Sequence, residues 1–103
     1  MPKFDSENEA VAVKSRAKLK RPPMYKVILH NDDFTTMDFV IYVLQNVFQK
    51  DLTEAFRLML QVHTEGASVA GIYTHEIAEM KAEKVVDLAQ SNGHPLMCTV
   101  EEE

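Results

Sequence analysis

The sequence is poor in the residues on which disulfide-rich and membrane-spanning proteins depend. It has one cysteine, Cys98, no tryptophan and three glycines among 103 residues. A single cysteine forms no internal disulfide, which excludes a disulfide scaffold and favours a reducing compartment. No apolar run approaches the ~20 residues of a membrane-spanning helix, and the first residues lack the apolar segment of a signal peptide. We therefore expect a cytoplasmic protein that does not enter the membrane.

The common signatures of catalysis and metal binding are also missing. There is no glycine-rich phosphate loop, no serine or cysteine nucleophile motif, and no histidine or cysteine pair at the spacing of zinc ligands. Asp32 and Asp33, taken with His30 or His63, are the only candidates for a carboxylate or metal site. Adjacent side chains diverge on a strand, so these residues support a small hydrolase or metal-binding protein only weakly. We expect no catalytic residue, no metal and no cofactor.

Charge is distributed unevenly along the chain. Residues 1–23 carry six basic and three acidic side chains, a net charge of +3, whereas residues 24–103 carry a net charge of −8. An acidic domain argues against nucleic acid as its partner. The basic segment is short and has no interleaved aromatic residues, so it does not change that expectation.

Residues 24–37 change from apolar to polar within a few positions and organise the rest of the chain. Residues 27–29, Val-Ile-Leu, form the short apolar run of a buried strand. Residues 31–33, Asn-Asp-Asp, favour a turn because their side chains bond to nearby backbone groups. Thr35 is the predicted N-cap of the next helix, with Asp38 three residues later. The pattern predicts a polar loop between a central strand and an apolar helix face, which is a place where a fold can hold a small ligand.

Three helices and two more strands are predicted after this loop. The first helix spans 36–49, where apolar residues recur at three- and four-residue spacing. The second spans 52–64, with Asp51 as its N-cap and Gly66 as its C-terminal stop. A strand follows at 67–73, although Gly71 weakens that prediction. Thr74 caps a third helix, which ends at 91–93, and the last strand covers 96–100.

The order of these elements predicts an α+β domain with two layers and βααβαβ connectivity. Two helices between the first two strands make those strands antiparallel, and one helix between the last two makes them parallel to each other. The simplest arrangement is a three-stranded antiparallel sheet with strand 1 in the centre and three helices on one face. Residues 24–103 form this domain, and residues 1–23 are expected to be a disordered extension that ends at Pro22 and Pro23.

The polar loop and the helix faces suggest binding rather than catalysis. Asn31 and Asp32 offer oxygen acceptors, which suit an ammonium group. Apolar walls around them are offered by Met37, Val40, Met59, Val62 and Leu96. Taken one at a time, Val40, Val62 and the two methionines are better explained as ordinary core residues.

Three segments of the sequence resemble the ClpS family of bacterial proteolytic adaptors. They are PPMYKVILHNDDFTTM at 22–37, LMLQVH at 58–63 and HPLMCTV at 94–100. Gly66, Thr74, Glu76 and Ala78 match the same family pattern, and the resemblance covers residues 22–100. The family often has proline where this chain has Thr36, and we expect that difference to affect the start of the helix.

This resemblance implies a fold, a function and a set of partners. The implied fold is the one inferred above. Members of the family are adaptors rather than enzymes. They recognise proteins that begin with Leu, Phe, Tyr or Trp and deliver them to the ClpAP protease. The implied partners are the N-domain of the ClpA unfoldase and the substrate proteins, with the adaptor acting as a monomer.

The resemblance also implies roles for individual residues. It assigns the α-amino group of the substrate to Asn31, Asp32 and His63. It assigns the side-chain pocket to Asp33, Thr35, Met37, Val40, Met59, Val62 and Leu96. Docking to ClpA is assigned to Glu76 and Lys81 on the third helix, and the N-terminal extension is implied to engage the unfoldase. The alternative is an interaction domain of similar fold, like the C-terminal domain of the ribosomal stalk protein, without a pocket for an N-terminal residue.

Overall fold

The computed structural model describes residues 22–103, so the expected extension at 1–23 lies outside the described residues except for its last two prolines. The chain forms, in order, strand β1 (Met24–His30), helices α1 (Met37–Asn46) and α2 (Leu52–Glu65), strand β2 (Ala67–Thr74), helix α3 (His75–Ser91) and strand β3 (Met97–Glu102). This is the predicted βααβαβ order. None of the helices in residues 22–103 has the length and apolar character needed to span a membrane.

The three strands form one sheet in the order β2-β1-β3, with β1 antiparallel to both neighbours. The predicted topology is therefore confirmed. The pairing of β1 with β2 shifts between Val27, which faces Gly71, and Ile28, which faces Val69. A Cβ atom at Gly71 would collide with the ring of Tyr73. Gly71 therefore leaves room for the ring of Tyr73, which lies close to the backbone of β2 at this point. This explains why a glycine is found within the strand without ending it.

The core lies between the sheet and the helices. Val27 and Leu29 of β1 are completely buried there, and all three helices contribute buried apolar side chains. Ile28, between them in sequence, lies outside this cluster, as expected from the alternation of side chains along a strand. On the two outer strands Val69, Ile72 and Met97 remain exposed.

Helix α1 begins one residue later than the sequence suggested. The prediction that Thr35 is its N-cap is wrong: the hydroxyl of Thr36 accepts the hydrogen bond from the backbone N–H of Phe39, at 3.1 Å. Thr35 is engaged by the carboxylate of Asp32 instead, so it is not available to the helix. At its other end α1 stops at Asn46 rather than at residue 49.

Helix α2 begins and ends where its capping residues predict. The side chain of Asp51 accepts from the backbone N–H of Glu54 at 2.8 Å. Gly66 has the left-handed φ of 91° that favours glycine, and its N–H donates to the carbonyl of Val62. Thr74 occupies the N-cap position of α3, but its side chain makes no capping hydrogen bond.

A lysine on α3 caps the C-terminal end of α1. The ammonium group of Lys81 donates to the carbonyl oxygen of Val47 at 2.6 Å and to the side chain of Gln49 at 3.0 Å. It also lies 5.5 Å from the ring centroid of Tyr73. Helix α1 has no basic residue in its last turn, so Lys81 supplies the positive charge that a helix C-terminus favours.

We predict that Lys81→Met lowers the free energy of unfolding by about 1–2 kcal/mol, because the variant loses two hydrogen bonds from a charged group and a cation at a helix end. Urea denaturation measures the difference. Lys84→Met is the matched control, since Lys84 is exposed on the same helix. Equal stability of the two variants would show that the contact with Val47 contributes nothing.

Candidate functional site

The loop between β1 and α1 is fixed to the end of α2. The backbone N–H of Asn31 donates to the carbonyl of Gly66 at 2.9 Å. Gly66 ends α2, and His63 lies in the last turn of that helix. The hydrogen bond therefore brings two predicted amine-binding residues, Asn31 and His63, to the same edge of the domain.

The carboxylate of Asp32 orders the middle of this loop. One oxygen accepts from the backbone N–H groups of Phe34, at 2.8 Å, and Thr35, at 2.6 Å. The other oxygen accepts from the hydroxyl of Thr35 at 2.7 Å. Partial burial raises the pKa of Asp32, but the hydrogen bonds from Thr35 and Phe34 outweigh it and hold the pKa below its ordinary value. Asp32 therefore remains ionised at neutral pH.

A small cavity opens between this loop, the start of α1 and the end of α2. Its volume is about 20 Å³, which is room for about one water molecule. The residues that line it are Asn31, Thr35, Met37, Val40, Met59, Val62 and His63. All seven were singled out from the sequence, and the structure brings them together.

The cavity has an apolar floor and a more exposed rim. Val40, Met59 and Val62 are buried and belong to the hydrophobic core. At the rim, Met37 is 45% exposed, and Asn31 and His63 are exposed. These three buried residues therefore belong to the core and to the cavity wall at the same time.

Three other residues of the predicted site do not line the cavity. Asp32 lies beside it, bonded to Thr35. Asp33 is exposed on the loop. Leu96 is buried in the core, with 5% of its surface exposed.

The two residues assigned to ClpA docking lie on α3 in different surroundings. Glu76 is exposed in the first turn and borders a shallow surface with Glu79, Met80 and Glu83. Lys81 lies beside Ile77, and its ammonium group is already bonded to the end of α1. That hydrogen bond was not predictable from local sequence, since it joins residues 34 positions apart.

The metal-binding alternative gains no support from the geometry. Within residues 22–103, no three histidine, cysteine or carboxylate side chains are placed to hold a metal ion. His30, one of the residues considered for such a site, lies 2.7 Å from the hydroxyl of Thr99 on the neighbouring strand.

Cys98 is largely buried, which raises the pKa of its thiol to about 12.

Comparison with known proteins identifies relatives along nearly the whole chain. The family model described as "ATP-dependent Clp protease adaptor protein ClpS" matches residues 20–99. An ATP-dependent Clp protease adapter protein ClpS from Ruegeria pomeroyi is 48% identical over 98% of this chain and 90% of its own length. One from Desulfatibacillum aliphaticivorans is 57% identical over 84% of this chain and 83% of its own length.

A solved structure shares the fold as well as the sequence. It is Agrobacterium tumefaciens ClpS2 bound to L-phenylalaninamide, with a TM-score of 0.78 and 42% sequence identity. The match covers 81% of this chain and 100% of that one.

We predict that Asp32→Asn destabilises the protein near neutral pH and that the loss disappears in acid. The folded-state pKa of Asp32 is lowered, so the carboxylate stabilises the fold above its unfolded-state pKa, and this stabilisation is lost as the pH falls through the folded-state pKa. Urea denaturation of variant and wild type, at pH 6 and at the most acidic pH at which both remain folded, measures the change.

The control for this experiment is Asp33→Asn, which removes an exposed carboxylate from the same loop. It should leave stability within about 0.5 kcal/mol of the wild type. A deficit of Asp32→Asn that is equal at both pH values would contradict the assigned role of the ionised carboxylate.

Proposed function

The chain belongs to the ClpS family of ATP-dependent Clp protease adaptor proteins, and from this membership we propose that it selects substrates by their first residue. It is an adaptor of the Clp protease and not an enzyme. In the proposed function it binds proteins that begin with Leu, Phe, Tyr or Trp and delivers them to the ClpAP protease for degradation. The observation that carries the proposal is the cavity that joins Asn31 and His63 to an apolar floor.

The ligand of the related structure has the chemistry that this cavity suits. Phenylalaninamide combines a free amino group with an aromatic side chain, as does a protein that begins with phenylalanine. That compound is bound to a relative 42% identical to this chain. Proteins in general expose many phenylalanine side chains, but only a chain terminus adds a free α-amino group to one.

The polar side of the site would recognise the amino group. An N-terminal amine has a pKa of roughly 7.7–8.0, and its charged form carries three N–H donors and no acceptor. The side-chain oxygen of Asn31 and a neutral ring nitrogen of His63 are the proposed acceptors. Both oxygens of Asp32 already accept hydrogen bonds within the loop. We assign Asp32 two roles, which are to position the loop and to add negative charge near the amine.

The apolar side of the site would take the first side chain. Burial of a Leu or Phe side chain contributes about 1.5–3 kcal/mol. Thr35, Met37, Val40, Met59 and Val62 form the proposed wall. Asp33 and Leu96 complete the assigned set, but they lie outside the cavity as it stands, so their contribution depends on rearrangement.

Delivery requires a second surface, which we place on α3. Glu76 is exposed there and is the proposed contact with the N-domain of ClpA. Lys81 is assigned to the same surface, although its bond to Val47 also gives it a structural role. In this proposal residues 24–103 form a monomeric recognition domain, and residues 1–23 form an extension that engages the unfoldase.

The proposal predicts that the protein binds a fluorescent peptide beginning with Leu and that acetylation of its amino group abolishes the binding. Asn31→Ala should weaken binding of the free peptide at least tenfold, which corresponds to about 1.4 kcal/mol of lost polar interaction. Fluorescence anisotropy measures both effects. Asn46→Ala, on the exposed end of α1, is the matched control.

Two results of this experiment would argue against the proposal. Equal binding of the free and acetylated peptides would show that no α-amino group is recognised. If Asn31→Ala binds the free peptide with unchanged affinity and acetylation still abolishes binding, the amine is bound by residues other than Asn31.

Met37 is the proposed gate for side-chain shape. Leu, Phe, Tyr and Trp have an unbranched Cβ, whereas Val and Ile branch there and are stiff about χ1. Met37→Ala should open room for the extra methyl group, because the clash it removes costs about 1–3 kcal/mol. We predict that the variant gains binding to peptides beginning with Ile or Val and still binds Leu.

The alternative is that Met37 only supports the fold. Thermal denaturation of Met37→Ala tests this directly, with Met80→Ala as the control because Met80 is a 63% exposed methionine on α3. A folded Met37→Ala that binds Leu peptides and still rejects Ile and Val would show that Met37 is not the gate.

A further inference from the structure

One large apolar side chain on the cavity loop has no role in the function proposed so far. Phe34 is 78% exposed, more than any other large hydrophobic residue among residues 22–103. Its neighbours in the loop, Asp33 and Thr35, are polar. An exposed phenylalanine leaves most of its possible burial energy unused, so a contact that covers it is favourable.

The backbone holds Phe34 in place rather than leaving it free. Its N–H donates to Asp32, and so does the N–H of the next residue, Thr35. Thr36 then caps α1, which begins at Met37. A phenylalanine fixed in this way loses little backbone freedom when a partner covers it, and this favours binding.

Phe34 also lies within reach of whatever leaves the cavity. Thr35 lines the cavity, and Phe34 precedes it by one residue. Consecutive Cα atoms are about 3.8 Å apart. If the first side chain of a substrate enters the cavity, the second residue stands about one such step outside it. Phe34 does not itself line the cavity, but its backbone stands one residue from the lining, just as the second residue of the substrate stands one residue from the cavity.

We propose that Phe34 is a specificity-determining residue that packs against the second residue of the substrate and favours an apolar side chain there. This inference rests on the proposed function, because it requires the first residue to occupy the cavity. Under this inference the protein recognises the first two residues of the substrate, not the first residue alone. An aromatic ring gains most from large apolar or aromatic partners, whose contact area with it is greatest.

A double-mutant cycle tests this contact. Peptides beginning Leu-Leu and Leu-Ser, identical elsewhere, are titrated against the wild type and Phe34→Ala by fluorescence anisotropy. We expect the wild type to bind the Leu-Leu peptide about fivefold more tightly, since ~40 Å² of extra apolar burial has that effect. In Phe34→Ala the preference should fall below about twofold, and Phe34→Leu should retain most of it.

Phe56→Ala is the matched control. Phe56 is a 49% exposed phenylalanine on α2 that does not line the cavity, so its truncation should leave the preference intact. Circular dichroism tests whether all three variants are folded. Binding of the Leu-Ser peptide, and its loss on acetylation, reports the proposed function separately from the role of Phe34.

Three outcomes would overturn the inference. A preference that persists in Phe34→Ala would place the contact elsewhere. Equal weakening of both peptides in Phe34→Ala would show that Phe34 supports the loop and does not read the second residue. Unchanged binding of both peptides, combined with slower degradation of a substrate by ClpAP, would assign Phe34 to the protease partner instead.

Discussion

The carboxylate of Asp32 is the interaction on which the geometry of the site depends. Its three hydrogen bonds hold the loop between β1 and α1 in one conformation, and the bond from Asn31 to Gly66 fixes that loop against α2. Without these contacts the polar residues at the end of the strand would have no defined position relative to His63. The same carboxylate draws Thr35 out of the helix, which is why α1 begins after Thr36.

The apolar half of the site uses the edge of the core. Val40, Met59 and Val62 pack with the other buried residues of α1 and α2 and also face the cavity. Such a wall is rigid, because neighbouring side chains fill the space behind it. Substitutions at these positions would change stability together with the proposed binding, whereas the exposed residues of the rim, such as Asn31, can change with less effect on the fold. A substitution in the polar rim therefore changes the proposed recognition with less effect on stability than one in the buried wall.

The sequence predicted those features that arise from local chemistry or regular spacing. The element order, the central position of β1, and the caps at Asp51 and Gly66 follow from periodicity and from residues close in sequence. The choice of Thr36 over Thr35 depends on competition from Asp32, and the bond of Lys81 to Val47 joins distant positions, so neither was predictable. Of the residues that line the cavity, the sequence itself suggested Asn31 as an acceptor and four apolar wall residues, whereas Thr35 and His63 joined the site through the family resemblance.

The size of the cavity decides what kind of recognition the site can perform. An apolar cavity that holds benzene has a volume of about 150 Å³, whereas this one has about 20 Å³. In the proposed function the entry of a Leu or Phe side chain would therefore require part of the wall to move. The buried residues of the floor are held by the core, so the movement falls to the exposed and flexible Met37. In the proposed function the free energy of that opening is subtracted from the gain of burial, so the polar contacts with the amine would supply a larger share of the selectivity.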